Sequence, residues 1–211
     1  MSARLHRPVT PAEYLAAERI ATAKHEYWNG AIYAMAGAGR THNLVTANLI
    51  IALGIRLRGR SCSVYPSDMR VKVLATSLYT YPDLAVVCGK ALFEDTQGDS
   101  LLNPTVLVEV LSPSTEAYDR GVKFAHYRTL PSLCDYLLVT PNEAQIEHYA
   151  RRPDGNWLLH VHTGLEAVVT LTALACELPL AEVYDKVDWL MGMQAAPSLR
   201  LVQEDAVEYG F

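Results

Sequence analysis

The chain has 211 residues, of which 50% are apolar and 19% charged, and its formal net charge is −5. That balance excludes a disordered chain and suits one globular domain. Mild acidity excludes an unspecific basic coat for nucleic acid but leaves room for a local basic groove.

No apolar run approaches the roughly 18 residues of a membrane helix. No apolar segment follows Arg4 and Arg7, so no secretory signal is expected there. Cys62, Cys88, Cys134 and Cys176 stand far apart with no CxxC spacing. They are expected to be buried thiols in a reducing cytoplasm, forming neither disulfides nor a zinc site.

Thr10-Pro11-Ala12-Glu13 has capping-box spacing with proline at the first helical position, which predicts a helix to about Thr22. His25–Tyr33 reads as a hairpin around Asn29-Gly30, the pair favoured in type I′ turns. Thr41 is expected to cap a well-buried helix that ends before Gly59. Strands follow at Cys62–Pro66 and Met69–Leu74. In the second, Arg70 and Lys72 alternate with apolar residues, which predicts one wet face.

Leu84–Cys88 and Val106–Leu111 are almost wholly apolar and should be central strands covered on both sides. Ser114 or Thr115 should open a helix to about Leu130. Cys134–Thr140 is a third apolar strand. Ala144–Ala150 and Trp157–Thr163 form an expected antiparallel pair, and Val168–Leu171 is a further strand. The signal weakens beyond about Pro179. The order predicts a mixed α/β domain with a central sheet.

Two carboxylates stand out. Asp83 opens one central strand after Pro82, and Glu109 lies inside another. A carboxylate in such a run must be compensated by a metal ion, a basic side chain or hydrogen-bond donors. If the strands are neighbours, the two carboxylates meet, and hard divalent ions take such oxygen ligands. A structural ion pair at Glu109 and a turn-capping Asp83 are the alternatives. Asp119, Lys123 and Tyr127 recur every four residues on the next helix. Lys123 could reach back over the sheet end, or simply pair with Asp119 on the surface.

Tyr81-Pro82-Asp83, Glu109-Val110-Leu111-Ser112-Pro113-Ser114-Thr115, Asp119-Arg120-Gly121-Val122-Lys123-Phe124 and Tyr127 together resemble the Uma-type endonuclease family. That family belongs to the restriction-endonuclease-like, PD-(D/E)XK, superfamily. The resemblance runs from about Thr10 to Tyr184 and includes the Glu26 hairpin, Met35, His42 and Pro131-Ser132 before Asp135–Val139. One position departs from the superfamily pattern: the lysine expected two residues after the second carboxylate is Leu111. Lys123 matches a lysine migrated to the following helix.

The resemblance implies a restriction-endonuclease-like α/β fold, with a core of about 10–184 and a C-terminal tail or dimerisation arm at 185–211. It implies Mg²⁺- or Mn²⁺-dependent hydrolysis of phosphodiester bonds in DNA. Asp83 and Glu109 would hold metal, and Lys123 would assist the nucleophile. Glu26 and His42 match recurrent family positions as supporting residues; a hairpin salt bridge and a helix-start residue are the alternatives. A homodimer is expected by analogy and from the apolar stretch Val187–Met193. A non-catalytic nucleic-acid-binding or regulatory protein on the same fold, and a small-nucleotide phosphodiesterase, are the rival readings.

No GxSxG, GxxxxGK[ST] or GxGxxG motif exists. Gly37-Ala38-Gly39-Arg40 is read as a flexible connection, with anion binding at the helix start as the alternative. His160 and His162 are read as structural, and Trp28 and Trp157 as packing. Arg40, Arg70, Lys72, Arg120, Lys123 and Arg128 either line the site or scatter as solvated charges.

Overall fold

The computed structural model describes residues 7–35 and 37–189. Most of the expected tail at 185–211, and most of Val187–Met193, lies outside the described residues. In chain order the elements are α1 (Pro11–Glu18), β1 (His25–Trp28), β2 (Ala31–Ala34), α2 (Arg40–Leu57), β3 (Cys62–Pro66), β4 (Arg70–Val73), β5 (Leu78–Thr80), β6 (Leu84–Cys88), β7 (Ser100–Leu101) and β8 (Val106–Val110). Then α3 (Glu116–Tyr118) passes through a π turn (Asp119–Lys123) into α4 (Phe124–Tyr127). They are followed by β9 (Asp135–Thr140), β10 (Gln145–Arg151), β11 (Trp157–Thr163), β12 (Val168–Leu171), β13 (Cys176–Pro179) and α5 (Leu180–Val183).

A six-stranded mixed sheet, in the order β11-β10-β9-β8-β6-β3, forms the centre. Its apolar strands are buried on both faces, as their composition requires. Alternating residues feed two cores. Leu84, Val86, Val106, Val108 and Leu137 pack with Val45, Leu49 and Leu53 of α2. Ala85, Val87, Leu107, Tyr136 and Leu138 pack with Val71, Val73 and Leu78 of the second sheet and with Tyr127 of α4. That second sheet has the order β2-β1-β5-β4-β7.

Local chemistry sets the N-terminal layer. Thr10 and Glu13 close the capping box on α1. Asn29 and Gly30 have φ of 48° and 83°, as a type I′ turn requires. The chain also presses against Gly30, where a Cβ would lie 2.5 Å from Pro8 Cβ.

Several expectations need correction. α1 stops at Glu18, short of Thr22: Arg19 is its C-cap, and the Ile20 and Ala21 N–H groups bond three residues back, to Ala17 and Glu18. α2 starts at Arg40, and its N-cap is Gly39 with no side-chain cap, so Thr41 lies inside the helix. The helical segment after β8 ends at Tyr127, short of Leu130. β4 has no wet face. Arg70 is buried, bonded to Ser100 Oγ and Tyr81 OH at 2.9 Å each and paired with Asp99 at 3.0 Å, and Lys72 pairs with Glu94. Cys62 and Cys88 are not thiols: they face each other across the β3–β6 register and form a disulfide. Cys134 and Cys176 are free.

Candidate active site

β6 and β8 are antiparallel neighbours, and Leu84 sits opposite Val108. Asp83 therefore arrives beside the C-terminal end of β8, where Glu109 stands. The Asp83 carboxylate accepts a hydrogen bond from the Val110 N–H at 2.7 Å. His42, on the first turn of α2, places Nε2 3.2 Å from the same oxygen.

Glu109 is buried, on the face of β8 that the α3–α4 segment crosses. Its Oε1 accepts from Tyr127 OH at 2.8 Å and lies 3.0 Å from Lys123 Nζ. Lys123 Nζ is also 3.2 Å from Glu26 and 3.3 Å from Asp119. Glu26 comes from β1 and is further held by the Thr80 hydroxyl. The structure thus brings Glu26, His42, Asp83, Glu109 and Lys123 to one place. Asp119, Tyr127 and Thr80 complete the group. Asp119 was legible as the residue four before Lys123, whereas Thr80 lies on a strand that left no sequence signal.

The electrostatics are lopsided. Four carboxylates face one ammonium and one imidazole. Burial pushes Glu109 well above the usual carboxylate range; Lys123 opposes this, while Asp119, Asp83 and Glu26 add to it. Burial also raises Asp119, against the pull of Lys123. For Lys123, burial favours the neutral amine, but Glu109, Glu26 and Asp119 outweigh it and hold the side chain protonated. His42 is raised on balance: burial lowers it, and the hydrogen bond and charge of Asp83 overcome that effect.

These residues line a cleft of about 960 Å³ between the hairpin, the start of α2, the end of β8 and α3. Of the six basic residues weighed as a groove, only Arg40 and Lys123 line it. Arg70, Lys72 and Arg120 are held by Asp99, Glu94, Glu116 and Glu147. Among the described residues, no three His, Cys, Asp or Glu side chains converge to hold an ion as they stand. Lys123 Nζ occupies the middle of the acidic group. The donor set still fits a hard divalent cation. It is all carboxylate oxygen, and it carries surplus negative charge, with one ammonium among the carboxylates of Glu26, Glu109 and Asp119.

The family model Uma2, described as "Putative restriction endonuclease", matches residues 11–181. Two uncharacterised proteins of Synechocystis sp. (strain ATCC 27184 / PCC 6803 / Kazusa) match over 151 residues each, 72% of this chain. One, slr1290, is 41% identical over 78% of its own length, and the other, sll1609, is 38% identical over 85%. A solved structure, titled as a putative nuclease belonging to DUF820 from Anabaena variabilis ATCC 29413, superposes with a TM-score of 0.69. It covers 84% of this chain and 98% of its own, at 17% identity, so the likeness is one of fold. The mixed sheet and its flanking helices are those of a restriction-endonuclease-like fold, and the chain belongs to the Uma2 family.

Proposed function

We propose that this protein is a Mg²⁺-dependent nuclease that hydrolyses phosphodiester bonds in DNA. The observation that carries the reading is the surplus of carboxylates at the floor of an open cleft, which one lysine does not neutralise. Asp83 and Glu109 would hold the metal, Mg²⁺ or Mn²⁺, with water and substrate oxygens completing its shell. Bound there, such an ion supplies a water of lowered pKa and polarises phosphoryl oxygens.

The chain's own residues have distinct roles. His42 and the Val110 N–H fix the Asp83 carboxylate. Tyr127 and Lys123 fix that of Glu109. Glu109, Glu26 and Asp119 hold Lys123 as an ammonium. It orients the nucleophile and opposes the charge that grows on the phosphoryl oxygens. The water oxygen bonds to phosphorus and gives up a proton to solvent, the phosphorus–oxygen bond to the leaving strand breaks, and the leaving oxygen takes up a proton from solvent.

One observation favours the non-catalytic rival: Glu109 and Lys123 are 3% and 5% exposed, as a structural ion pair would be. Calorimetric titration of Mn²⁺, with Asp83→Ala and Glu109→Ala as controls, separates the two. Binding to the wild type that vanishes in folded variants, followed by metal-dependent cleavage of DNA, supports the nuclease. Unaltered Mn²⁺ affinity in both variants would refute the site, and wild-type protein that neither binds Mn²⁺ nor cuts supports the rival. The family analogy further proposes a homodimer, which sedimentation velocity tests directly.

A further inference from the structure

The nuclease reading leaves the form of the nucleic acid open, and the hairpin bears on it. In the β1–β2 register Glu26 faces Tyr33, and Trp28 faces Ala31. Side chains alternate across a strand, so Glu26, Trp28 and Tyr33 share one face. All three line the cleft. Glu26 is the buried member, tied to Lys123. The two aromatic rings flank it and stay open to solvent, Trp28 at 36% and Tyr33 at 50% exposed. Trp28 is seated edge-to-face against His126, with centroids 5.1 Å apart. That contact is the packing expected of it, and the residue also lines the cleft.

Charge points the same way. Glu26, Asp83, Glu109 and Asp119 all line the cleft, and three of them already engage Lys123. Among the described residues, Arg40 is the one lining cation without a carboxylate partner. A duplex presents two phosphate strands and hides the faces of its bases in its own stack. This cleft offers little to neutralise phosphates and exposes two aromatic rings. Rings of this kind bind any base through its face, which is accessible only in an unpaired nucleotide.

Resting on the nuclease reading, we propose that Trp28 and Tyr33 form a stacking platform for unpaired nucleobases, so that the site takes single-stranded nucleic acid or the unpaired end of a duplex. Base stacking places the chain in the cleft, and the scissile phosphate then meets the carboxylates beside Glu26. Arg40 supplies the one lining contact to a backbone phosphate. Single-strand affinity therefore falls only shallowly with salt, with a logarithmic slope of roughly −0.7 for one neutralised phosphate.

The test uses the full chain, Ca²⁺ in place of Mg²⁺ to permit binding without turnover, and fluorescence anisotropy. The probe is a short fluorescein-labelled oligodeoxynucleotide of mixed sequence, alone or annealed to its complement. The single strand is expected to bind at least about tenfold tighter than the duplex. Trp28→Ala and Tyr33→Ala should each weaken it roughly tenfold to thirtyfold, within the range for one base on one ring. Trp28→Phe should keep most of the affinity, and all three variants should stay folded and keep the wild-type Mn²⁺ affinity. Equal or tighter binding of the duplex, or single-strand affinity indifferent to both alanine substitutions, overturns the platform. Metal-dependent cleavage that persists in that case leaves the nuclease reading standing. Absence of binding and of cleavage on every nucleic acid overturns both.

Discussion

Removing the Lys123 charge tests whether this one ammonium holds the acidic group together. In Lys123→Met the side chain keeps similar length and apolar stem but loses its charge. Nζ lies 3.0 to 3.3 Å from three carboxylates. At an effective dielectric of about 20, each contact has a gross Coulomb energy of roughly 5 kcal/mol. Most of that is offset by the cost of desolvating the charges, and the deserted carboxylates can take up a proton. Breaking a buried pair by removing one partner costs about 3–5 kcal/mol, and that is the expected loss at pH 7.5. For a chain of this size it corresponds to a fall of roughly 6–20 °C in melting temperature.

The pH dependence discriminates further. Glu109 and Asp119 have folded-state pKa values raised above their unfolded ones. An acid raised in this way binds more protons when folded, so its destabilising effect grows as pH rises through the raised value and fades as pH falls toward about 4.5. Losing the lysine enlarges that effect. The gap between variant and wild type should therefore be smaller at pH 5.5 than at pH 7.5, measured by circular dichroism melts or urea unfolding. A change under about 2 °C at pH 7.5, or a loss identical at both pH values, would refute the role given to Lys123.

Alkylation of the unfolded, unreduced chain should label Cys134 and Cys176 alone. Reduction should lower stability by up to about 3.5 kcal/mol, the closure entropy of a loop of this length, and four labelled cysteines would show that Cys62 and Cys88 are not joined. Gly30→Ala should cost more than the roughly 1–2 kcal/mol of a left-handed backbone, because the added Cβ also meets Pro8; urea unfolding reads the loss, and a neutral substitution contradicts the contact. Burial lowers both His126 and His162, with His148 and His160 adding to the effect at His162. Their contribution is complete above about pH 6.5 and is lost as pH falls through their folded values, so NMR titration should place both below 6.5, and a midpoint at or above that value would count against it.

How far the sequence revealed this protein depends on how local each signal is. Thr10 and Glu13, and Asn29 and Gly30, act within one turn, so α1's start and the hairpin were legible. Leu84–Cys88, Val106–Val110 and Asp135–Thr140 declare their burial on both faces by composition alone. β5, β7 and β13 are two to four residues long and carry no period. The disulfide depends on a register between β3 and β6, and a separation of 26 residues conceals it. Arg70 and Lys72 show the same limit. Alternation correctly gave them one face, but Asp99, Ser100, Tyr81 and Glu94, brought in from elsewhere, decide that the face is covered. In the candidate site, Asp83 and Glu109 were conspicuous because their neighbours are apolar. Trp28 was not, because an aromatic residue on a strand reads alike whether it packs or faces a cleft.

The placing of Lys123 on the helix follows from where Glu109 lies. Leu111, two residues on, shares the Glu109 face of β8 by alternation and is 3% exposed among Tyr127, Leu130, Tyr136 and Leu138. In this fold that position helps to build the floor on which the α3–α4 segment rests. The segment crosses the same face, so a lysine on it can meet Glu109 from above while Leu111 stays apolar. The π turn at Asp119–Lys123 sits where this happens, and π turns inside helices are frequent at functional sites. It carries Asp119 and Lys123, which pair at 3.3 Å, and the Tyr136 hydroxyl donates to the Asp119 main-chain carbonyl beneath it. Tyr127, one further turn along, then reaches Glu109. The strand supplies the buried carboxylate, and the helix supplies both the ammonium and the hydroxyl that fix it. A cation arriving from the helix can therefore serve several carboxylates at once: Glu26 of the hairpin as well as Glu109 of the sheet.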